Sequence, residues 1–464
     1  MADWLVGVAF YVAVVKQLLL LAALGIVVSC ADDLFVDLTY GAGRFWRWLT
    51  VYSRHAPMRA ADLGAVRPGF MAILVPAWDE ADVIADMLRA SLRRLEYPNY
   101  RLFVGVYPND QATRHAVACV ADPRVEIVVT SRPGPTSKAD CLNHLYLAAL
   151  RHAARTGLAV KAFVLHDAED LVDPQELTVF NHLIPRKAMV QAPVIALPDP
   201  GSRWIAGSYM DEFAECHAKD MVVREWLGAG LPSAGVGCAF SADILAQLAA
   251  GNGGVPFNET SVTEDYELGV RIGLLGGKAA LVRIPGGRGV IATREHFPHT
   301  VEAAIRQRAR WLLGIALMGW DRLGWQGTLA DRYMLWRDRK ALLNAVLIVA
   351  GYVGLVHIAG LAAAQEHSPA LKAIPGFAPP GSALAWLMVI NGALLGWRLA
   401  LRWAFVTRLY GWREGLRAIP RTLVSNYINA RAAFRAVDRF AGLARTGGRA
   451  AWDKTAHRFP REAA

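Results

Sequence analysis

The chain of 464 residues is poor in charged side chains and in cysteine. Charged residues make up 19% of it, whereas soluble domains typically carry about 25%, so an ordinary water-soluble enzyme is not expected. The five cysteines are an odd number without CxxC or other metal-ligand spacing, which predicts free thiols in a reducing compartment. Hydrophobic residues reach 54%, yet 50 basic and 40 acidic residues are too many for a purely membrane-embedded bundle. The composition indicates a water-soluble body attached to a few membrane spans.

Three apolar stretches are long enough to cross a bilayer, whose core needs roughly 20 helical residues. They occupy residues 5–30, 341–364 and 383–397, and the third extends to 405 in its longest interpretation. A cleaved signal peptide is the rival interpretation of the first stretch, but it requires basic residues before a shorter apolar run. Asp3 is the only charged residue that precedes this run. We therefore predict an uncleaved anchor and about three transmembrane helices.

The basic residues flank these stretches on one side. Lysines and arginines follow the first span, precede the second and follow the third, whereas the loop 365–381 holds the single Lys372. The positive-inside rule then places the N-terminus and that loop outside, with residues 32–340 and the C-terminal tail in the cytoplasm. The net charge of +10 is therefore mostly juxtamembrane, and no nucleic acid is needed to explain it.

Two further stretches suit helices lying in the headgroup layer. Residues 311–320 are apolar but too short to span, and residues 416–437 mix apolar side chains with arginines. An ordinary core helix is the alternative for the second stretch.

Between residues 70 and 166, short apolar runs alternate with helical patterns. Strands are predicted at 70–75, 102–106, 125–129 and 162–166, and helices at 79–95, 111–120 and 138–154. This alternation predicts an α/β domain with a mostly parallel sheet covered by helices on both faces. The ligand crevice of such a sheet lies outside the carboxyl ends of its strands.

Charged clusters follow all four predicted strands at that edge. They comprise Asp79, Glu80, Asp110, Lys138, Asp140, Asp167 and Glu169. Single members have structural alternatives: Asp79 as a helix cap, Asp110 as a turn residue and Asp140 as a charge in a first helical turn. Asp167 and Glu169 are two residues apart as the strand ends, so their carboxylates point to the same side. Two carboxylates and substrate phosphates are the usual ligands of Mg²⁺ or Mn²⁺.

The whole motif set resembles the signature of membrane-bound family-2 glycosyltransferases, such as cellulose and hyaluronan synthases. It comprises VPAWDE (75–80), Asp110, KAD (138–140), DAE (167–169), TED (263–265) and QRARW (307–311). Further short sequence stretches, including HDAED, PSAGVGCAFS, REHFPHT and WDKTAHRFP, resemble those of the phage adsorption protein B group. This similarity extends nearly from end to end of the chain. Longer members of that group continue into a C-terminal domain that binds cyclic di-GMP, which we expect this chain to lack.

The resemblance implies a GT-A fold, which is Rossmann-like, in a cytoplasmic catalytic domain. Six regions are expected, in the order N-terminal transmembrane helix, linker or interfacial segment, glycosyltransferase domain, interfacial helix with connector, two transmembrane helices and basic amphipathic tail. Their bounds are 1–31, 32–69, 70–311, 312–340, 341–406 and 407–464.

The resemblance also implies roles for the clusters after the strands. Asp79 or Glu80 and Asp110 would contact the nucleoside of a UDP-sugar, and Lys138 and Asp140 would hold uracil or phosphate. Asp167 and Glu169 would bind Mg²⁺ or Mn²⁺ on the diphosphate. Many family members have Asp where Glu169 stands, and Glu offers the same charge on a longer arm.

The two later motifs would carry the chemistry. Asp265, with Glu264 and Thr263 beside it, would be the general base that takes a proton from the acceptor hydroxyl, and a single displacement implies inversion. The alternative is that this motif merely starts a helix with Thr263 as its N-cap. Gln307, Arg308, Arg310 and Trp311 would bind the substrates, with Arg310 on the departing diphosphate and Trp311 under the acceptor sugar.

The resulting expectation is a metal-dependent inverting hexosyltransferase of the inner membrane that adds a sugar to a growing polysaccharide. By resemblance the sugar is an N-acetylhexosamine such as ManNAc or GlcNAc. Expected partners are the UDP-sugar, a glycan or lipid-linked acceptor, membrane lipids, a second copy or an export partner, and a separate cyclic-di-GMP-binding regulator, but no nucleic acid. The alternatives are a non-processive transferase acting on a lipid carrier and a non-catalytic membrane scaffold.

Overall fold

The computed structural model describes residues 2–287, 289–446, 454 and 457–460. Most of the predicted tail beyond residue 446 lies outside this part of the chain. The described residues contain eleven strands: β1 (Phe70–Pro76), β2 (Tyr100–Val106), β3 (Val125–Val129), β4 (Val160–Leu165), β5 (Met189–Gln191), β6 (Val194–Ala196), β7 (Cys238–Ser241), β8 (Ala279–Leu281), β9 (Pro285–Gly286), β10 (Gly289–Val290) and β11 (Thr293–Glu295).

Fifteen α-helices surround these strands in the described chain. They are α1 (Ala2–Arg47), α2 (Ile84–Arg94), α3 (Gln111–Ala118), α4 (Lys138–Thr156), α5 (Glu176–Leu183), α6 (Ile205–Glu215), α7 (Met221–Trp226), α8 (Ala242–Ala250), α9 (Glu264–Leu274), α10 (Val301–Leu312), α11 (Gly319–Leu323), α12 (Leu329–Arg339), α13 (Ala341–His367), α14 (Ala383–Tyr410) and α15 (Trp412–Thr446). Wider π-helical turns occupy Trp48–Tyr52, Cys216–Asp220 and Leu313–Met318, and short 3₁₀ turns occupy Ala60–Asp62 and Leu371–Ala373.

Seven strands form the central sheet in the order β3-β2-β1-β4-β7-β5-β8. Neighbours run parallel except at β7, which is antiparallel to both β4 and β5. Successive side chains of β1 point to opposite faces, so Ile73 packs into one hydrophobic core and Leu74 into the other. Helices cover both faces, which explains why β1 is apolar and buried along its whole length. The predicted mostly parallel sheet is therefore confirmed.

The helix predicted at 79–95 begins later than expected. It starts at Ile84, and Asp79 cannot belong to it because its backbone φ of 55° is a left-handed conformation that a right-handed helix cannot include. The loop between β1 and α2 therefore leaves Asp79 exposed and turns Glu80 inward, where it is 5% exposed. The other three predicted strands and two helices match β2–β4, α3 and α4 to within a few residues.

Among the described residues, three helices are long and apolar enough to cross a membrane. They are α1, α13 and α14, the first continuing through a π-helical turn to Tyr52. Most of their apolar side chains face outward, as with Val356 and Val389. α1 passes unbroken through the expected boundary between residues 31 and 32, so the first part of the expected linker is helical.

The two stretches expected at the interface both lie against the body. The first contains the end of α10 and the turn Leu313–Met318, where Leu313 and Ala316 are buried. The second lies within α15, which buries one face through Ile428 and neighbouring small residues. Its opposite face exposes an apolar stripe that includes Leu423 and Phe434. α15 thus has the core face of the alternative interpretation and the exposed apolar face of the first.

Carboxylates in the second half of α1 form ion pairs that join the apolar helices to the body. We name these carboxylates, together with the charged residues that surround them, the junction cluster. It comprises Asp32, Asp33, Asp37, Glu215, Lys219, Arg337, Lys340 and Arg398. Asp32 lies 2.5 Å from both Arg337 Nη1 and Lys340 Nζ. Asp37 pairs with Lys219, whose Nζ also lies 2.7 Å from Glu215 Oε1. Each of the three α1 carboxylates therefore has at least one cationic partner.

Candidate active site

A cavity of about 280 Å³ opens at the carboxyl edge of the sheet. The predicted site residues that line it are Glu80, Lys138, Asp167, Glu169, Thr263, Glu264, Asp265, Gln307, Arg310 and Trp311. Motifs that are up to 231 residues apart in the chain, from Glu80 to Trp311, therefore share one concave surface.

Four predicted site residues do not line this cavity. Asp79 is 81% exposed at its side chain, outside the opening. Asp110 accepts hydrogen bonds from the backbone N–H groups of Thr113 (3.1 Å) and Asp79 (2.6 Å). It therefore caps α3 and holds the loop that carries Glu80, a structural role that differs from the turn residue considered as its alternative.

Asp140 and Arg308 are also used structurally. Asp140 lies in the first turn of α4 and accepts a hydrogen bond from Arg132 at 2.6 Å. Arg308 does not line the cavity; it pairs with Glu212 and stacks over the ring of Tyr209 with 4.4 Å between the guanidinium carbon and the ring centroid. Both residues support the walls of the cavity rather than forming its surface.

Lys138 and Asp167 form an ion pair inside the cavity, with 2.6 Å between Nζ and Oδ1. Lys138 is the first residue of α4 and its side chain is 13% exposed. Burial alone would lower the pKa of Lys138, but Asp167, Glu264 and Asp265 together raise it, so the ammonium stays charged. One cation is thereby placed among carboxylates from two elements, the turn after β4 and the start of α9.

A buried histidine fixes the turn that carries Asp167 and Glu169. His166 Nδ1 lies 2.8 Å from Asp170 Oδ2, and its Nε2 lies 2.7 Å from Glu176 Oε1. Burial opposes protonation, but the two carboxylates prevail and raise the pKa of His166 to about 10. Asp170 Oδ2 also accepts the backbone N–H of Asp167 at 3.0 Å. His166 is therefore a structural imidazolium.

Glu169 is the most deeply buried acid of the cavity, with 4% of its side chain exposed. Its Oε2 atom has no hydrogen-bond partner among the described residues. Burial raises the pKa of Glu169 to about 8, with His457 opposing the shift and Asp167 adding to it. A carboxylate in this position is stabilised only when a positive charge is close to it.

Glu264 and Asp265 begin α9, where the helix N-terminus favours negative charge. Thr263 occupies the N-cap position, but its side chain makes no capping hydrogen bond. The alternative in which this motif merely starts a helix would require such a bond. Burial and the adjacent Asp265 raise the pKa of Glu264 to about 7. Burial likewise raises the pKa of Asp265, although Lys138 acts in the opposite direction. A carboxylate with a raised pKa is a better proton acceptor at neutral pH.

A glycine loop packs directly on Asp265. Gly235 has φ 79°, and a Cβ built there would lie 2.2 Å from Asp265 Oδ2. No other amino acid fits this position without moving the carboxylate. The loop of small residues before β7 therefore fixes where Asp265 points.

Helix α10 presents Gln307, Arg310 and Trp311 to the opposite wall. Gln307 Oε1 and Arg310 Nε are buried atoms without a hydrogen-bond partner within the described chain. Buried polar atoms without a partner are uncommon in folded proteins, and those that line a cavity can bind a ligand or a water molecule. Trp311 packs edge-on to Tyr209, with ring centroids 6.0 Å apart.

Several lining residues were not predicted from the sequence. Glu295 on β11, Glu212 and Phe213 on α6, and His217 all border the cavity, as do Lys454 and His457 from the far end of the chain. Glu295 and His457 belong to the REHFPHT and WDKTAHRFP stretches, which contribute to the family resemblance but indicate no role for these two residues. Only the three-dimensional arrangement shows that they share the cavity. All five cysteines are free, as predicted.

Residues 68–314, just over half of the chain, match the family described as glycosyltransferase like family 2. The bacteriophage adsorption protein B of Escherichia coli K12 and the bacteriophage N4 adsorption protein B of Escherichia coli O157:H7 are each 38% identical over 99% of this chain. The chain spans 64% of the length of these relatives.

Among solved structures, a mannosyltransferase from Pyrobaculum calidifontis in complex with GDP-Man and Mn²⁺ superposes with a TM-score of 0.52 at 18% identity. The alignment covers 90% of this chain and 99% of that one. At this identity the likeness concerns the fold, and it confirms the expected GT-A architecture. The expected family is also confirmed: the chain belongs to the family-2 glycosyltransferases.

Proposed function

We propose that the protein is an inverting transferase of the inner membrane that moves a sugar from UDP to a growing polysaccharide. The catalytic body would lie on the cytoplasmic side and the sugar would be an N-acetylhexosamine. The observation that carries the proposal is the single cavity in which the DAE, TED and QRARW motifs meet. The donor, the acceptor and the membrane orientation are proposals about the whole protein.

Asp265 would act as the general base. It lines the cavity, its direction is fixed by Gly235, and its raised pKa suits it to accept a proton from a sugar hydroxyl. General base catalysis typically contributes about 10²–10⁴-fold to a rate. One base and one displacement give inversion at the anomeric carbon. Glu264 would keep the local potential negative, and Thr263 would support the turn.

Two cations would receive the diphosphate of the donor. Lys138 is held at one wall by Asp167, and Arg310 offers an unpartnered Nε from the other. A planar guanidinium suits phosphate oxygens. Gln307 would accept a hydrogen bond from the donor, and Trp311 would pack against the acceptor sugar. We propose that Asp110, Asp140 and Arg308 act indirectly, by positioning the loops and helices beside the substrates, and that Asp79 at the rim contacts the nucleoside.

One wall of the cavity carries Glu80, Asp167 and Glu169, and we name it the acidic wall. Its carboxylates fit a divalent cation. Glu169 has a buried oxygen without a partner, and Asp167 stands beside it with its Oδ1 occupied by Lys138. These two residues would hold Mg²⁺ or Mn²⁺. When bound, the cation would neutralise charge on the departing diphosphate. The similarly folded mannosyltransferase was solved with Mn²⁺ and GDP-Man, so that donor belongs in any test.

The test is a donor screen of the purified full chain. Release of nucleoside diphosphate is measured with UDP-GlcNAc, UDP-ManNAc, UDP-glucose and GDP-mannose, with Mg²⁺, Mn²⁺ or EDTA, and with or without cyclic di-GMP. The proposal predicts metal-dependent release from a UDP-N-acetylhexosamine. Absence of release from any donor, by protein with normal tryptophan fluorescence, would contradict it.

The labelled product then separates the two catalytic hypotheses. A ladder of lengths supports polymerisation, whereas a single lipid-soluble species supports transfer to a lipid carrier. Either result excludes a non-catalytic scaffold.

Orientation is tested with a membrane-impermeant maleimide on intact cells. Cys119 is exposed on the body, whereas the loop 365–381 should face the other side. We expect Cys119 to react only after permeabilisation, and Lys372→Cys to react without it. The reverse pattern would place the body outside.

A further inference from the structure

A short segment from the far end of the chain reaches the acidic wall of the cavity. Lys454 and residues 457–460 are described there, and Phe459 is buried in the hydrophobic core beneath β1. His457 Nδ1 lies 2.9 Å from Glu80 Oε1 and 3.2 Å from Glu169 Oε1. The burial of Phe459 anchors residues 457–460 against the core, so His457 is held at the cavity.

The three side chains have the geometry of a cation site. One ligand atom from each of Glu80, Glu169 and His457 lies within 4.8 Å of the other two. Six-coordinate ions with bonds of about 2.1 Å separate adjacent ligand atoms by about 3 Å. The observed separations of 2.9 and 3.2 Å from His457 Nδ1 match that edge length.

The unpartnered oxygen of Glu169 points to a ligand independently of this geometry. The residue is 3% exposed, and Oε2 makes no hydrogen bond to any described residue. His457 and Lys454 both contact oxygens of this acidic wall, but neither satisfies that atom. A bound cation would be ligated by Oε2, the oxygen of Glu169 that accepts no hydrogen bond from a described residue.

We propose that Glu80, Glu169 and His457 form a divalent cation site that prefers Mn²⁺ to Mg²⁺. Carboxylate and water ligands suit both ions, whereas an imidazole ligand suits transition metals. The site deepens the proposed function, on which it rests, because it gives Glu80 a metal-binding role and brings the end of the chain into the donor site. Asp167, whose Oδ1 is paired with Lys138, lies at the edge of this site, where its other oxygen would complete the ligand set.

The test measures binding of Mn²⁺ alone to the purified full chain after removal of metals with EDTA. Electron spin echo spectroscopy of the bound ion detects nitrogen within bonding distance. The proposal predicts a ¹⁴N modulation in the wild type and its loss in His457→Ala. We also expect His457→Ala and Glu80→Gln to weaken Mn²⁺ binding by at least about 10-fold.

Two variants distinguish a ligand from a merely cationic neighbour. Lys454→Ala removes a charge 3.3 Å from Glu80 Oε1, but an ammonium cannot ligate a metal. This control should bind Mn²⁺ as tightly as the wild type or more tightly. His457→Asp replaces the imidazole by an oxygen ligand, so it should retain a site while shifting preference toward Mg²⁺.

The proposal is overturned if the wild-type ion shows no ¹⁴N modulation, or if His457→Ala binds Mn²⁺ as well as or better than the wild type. The second result would mean that the segment competes with the metal. Because these measurements need no sugar donor, they stand apart from the donor screen. Nitrogen-ligated Mn²⁺ without nucleotide release would refute the transferase function but support the cation site. Nucleotide release without nitrogen ligation would support the transferase function and refute the cation site.

Discussion

The molecule buries two clusters of charged side chains that differ in how completely their charges are paired. In the junction cluster, Asp32 and Asp33 each have at least two cationic partners, and Asp37 pairs with Lys219 and accepts a hydrogen bond from Trp397. In the cavity, acids outnumber bases, and Glu169, Gln307 and Arg310 keep unpartnered atoms among the described residues. A fully paired cluster holds elements together, whereas an incompletely paired one is prepared for a ligand.

The same difference extends to protonation. Burial raises the pKa of Glu169 to about 8 and that of Glu264 to about 7, because neighbouring cations do not compensate the loss of water. In contrast, Lys219 of the junction cluster has its pKa raised by the carboxylates around it, despite burial. The negative charges of Glu169 and Glu264 therefore reduce stability, whereas the positive charge of Lys219 contributes to it. This comparison leads to four predictions.

The largest effect is expected at the proposed base. Asp265→Asn keeps the shape and hydrogen-bonding reach of the side chain but removes its ability to take a proton. Turnover should fall by about 10²–10⁴-fold with little change in donor affinity. Asp243→Asn, an exposed acid on α8, is the matched control. Turnover within threefold of the wild type would remove Asp265 as the base.

Breaking the junction cluster should affect stability instead. Lys219→Ala leaves Asp37 and Glu215 without their shared partner, in a site where the lysine is 1% exposed. Removing one member of a buried pair typically costs about 3–5 kcal/mol. The thermal midpoint of the detergent-solubilised protein, followed by tryptophan fluorescence, should fall steeply.

Arg89→Ala provides the comparison, because it breaks an exposed pair with Asp86 whose charged atoms are 3.8 Å apart. Exposed pairs contribute roughly 0–1 kcal/mol. Equal losses for the two variants would show that the junction cluster is not the stabilising one.

A smaller effect concerns acid stability. Burial lowers the pKa of His217 to about 4, and its Nδ1 accepts the backbone N–H of Val194 at 3.0 Å. The folded state therefore binds fewer protons than the unfolded state between pH 6.5 and 4, and stability falls as pH drops through that window. The full difference corresponds to about 3 kcal/mol.

His217→Asn keeps an acceptor near the position of Nδ1 but does not titrate. Its thermal midpoint should therefore depend less on pH between 6.5 and 4 than that of the wild type. Parallel pH profiles would show that His217 is not responsible.

The smallest effect is a gain in stability. Glu264→Gln removes a buried carboxylate whose raised pKa makes its ionised form unfavourable above about pH 7. We expect about 1 kcal/mol of additional stability at pH 8 and less at pH 5.5, where the wild-type group is largely protonated. Activity should decrease in the same variant. A loss of stability at pH 8 would show that the Glu264 charge is compensated.

The sequence predicted the sheet and the meeting of motifs at its carboxyl edge, because strand periodicity and parallel topology are local and general. It did not separate lining residues from supporting ones, since capping by Asp110 and ligand binding produce the same residue types after a strand. His457 meets Glu80 across 377 positions, a pairing that no local pattern encodes. The junction cluster was hidden for another reason: the positive-inside rule counts Arg337 and Lys340 but ignores the acids that pair with them.

The unbroken course of α1 limits how related chains can vary in length. The helix runs for 46 residues, and beyond Asp32 it stacks Tyr40 on Trp226 with ring centroids 6.1 Å apart. Each residue inserted in an α-helix rotates everything after it by about 100° and shifts it by about 1.5 Å. A single insertion between Asp32 and Tyr40 would turn one of these contacts away from its partner. Insertions and deletions should therefore be found before Asp32, where the helix surface mostly faces outward, and should be absent between these two residues.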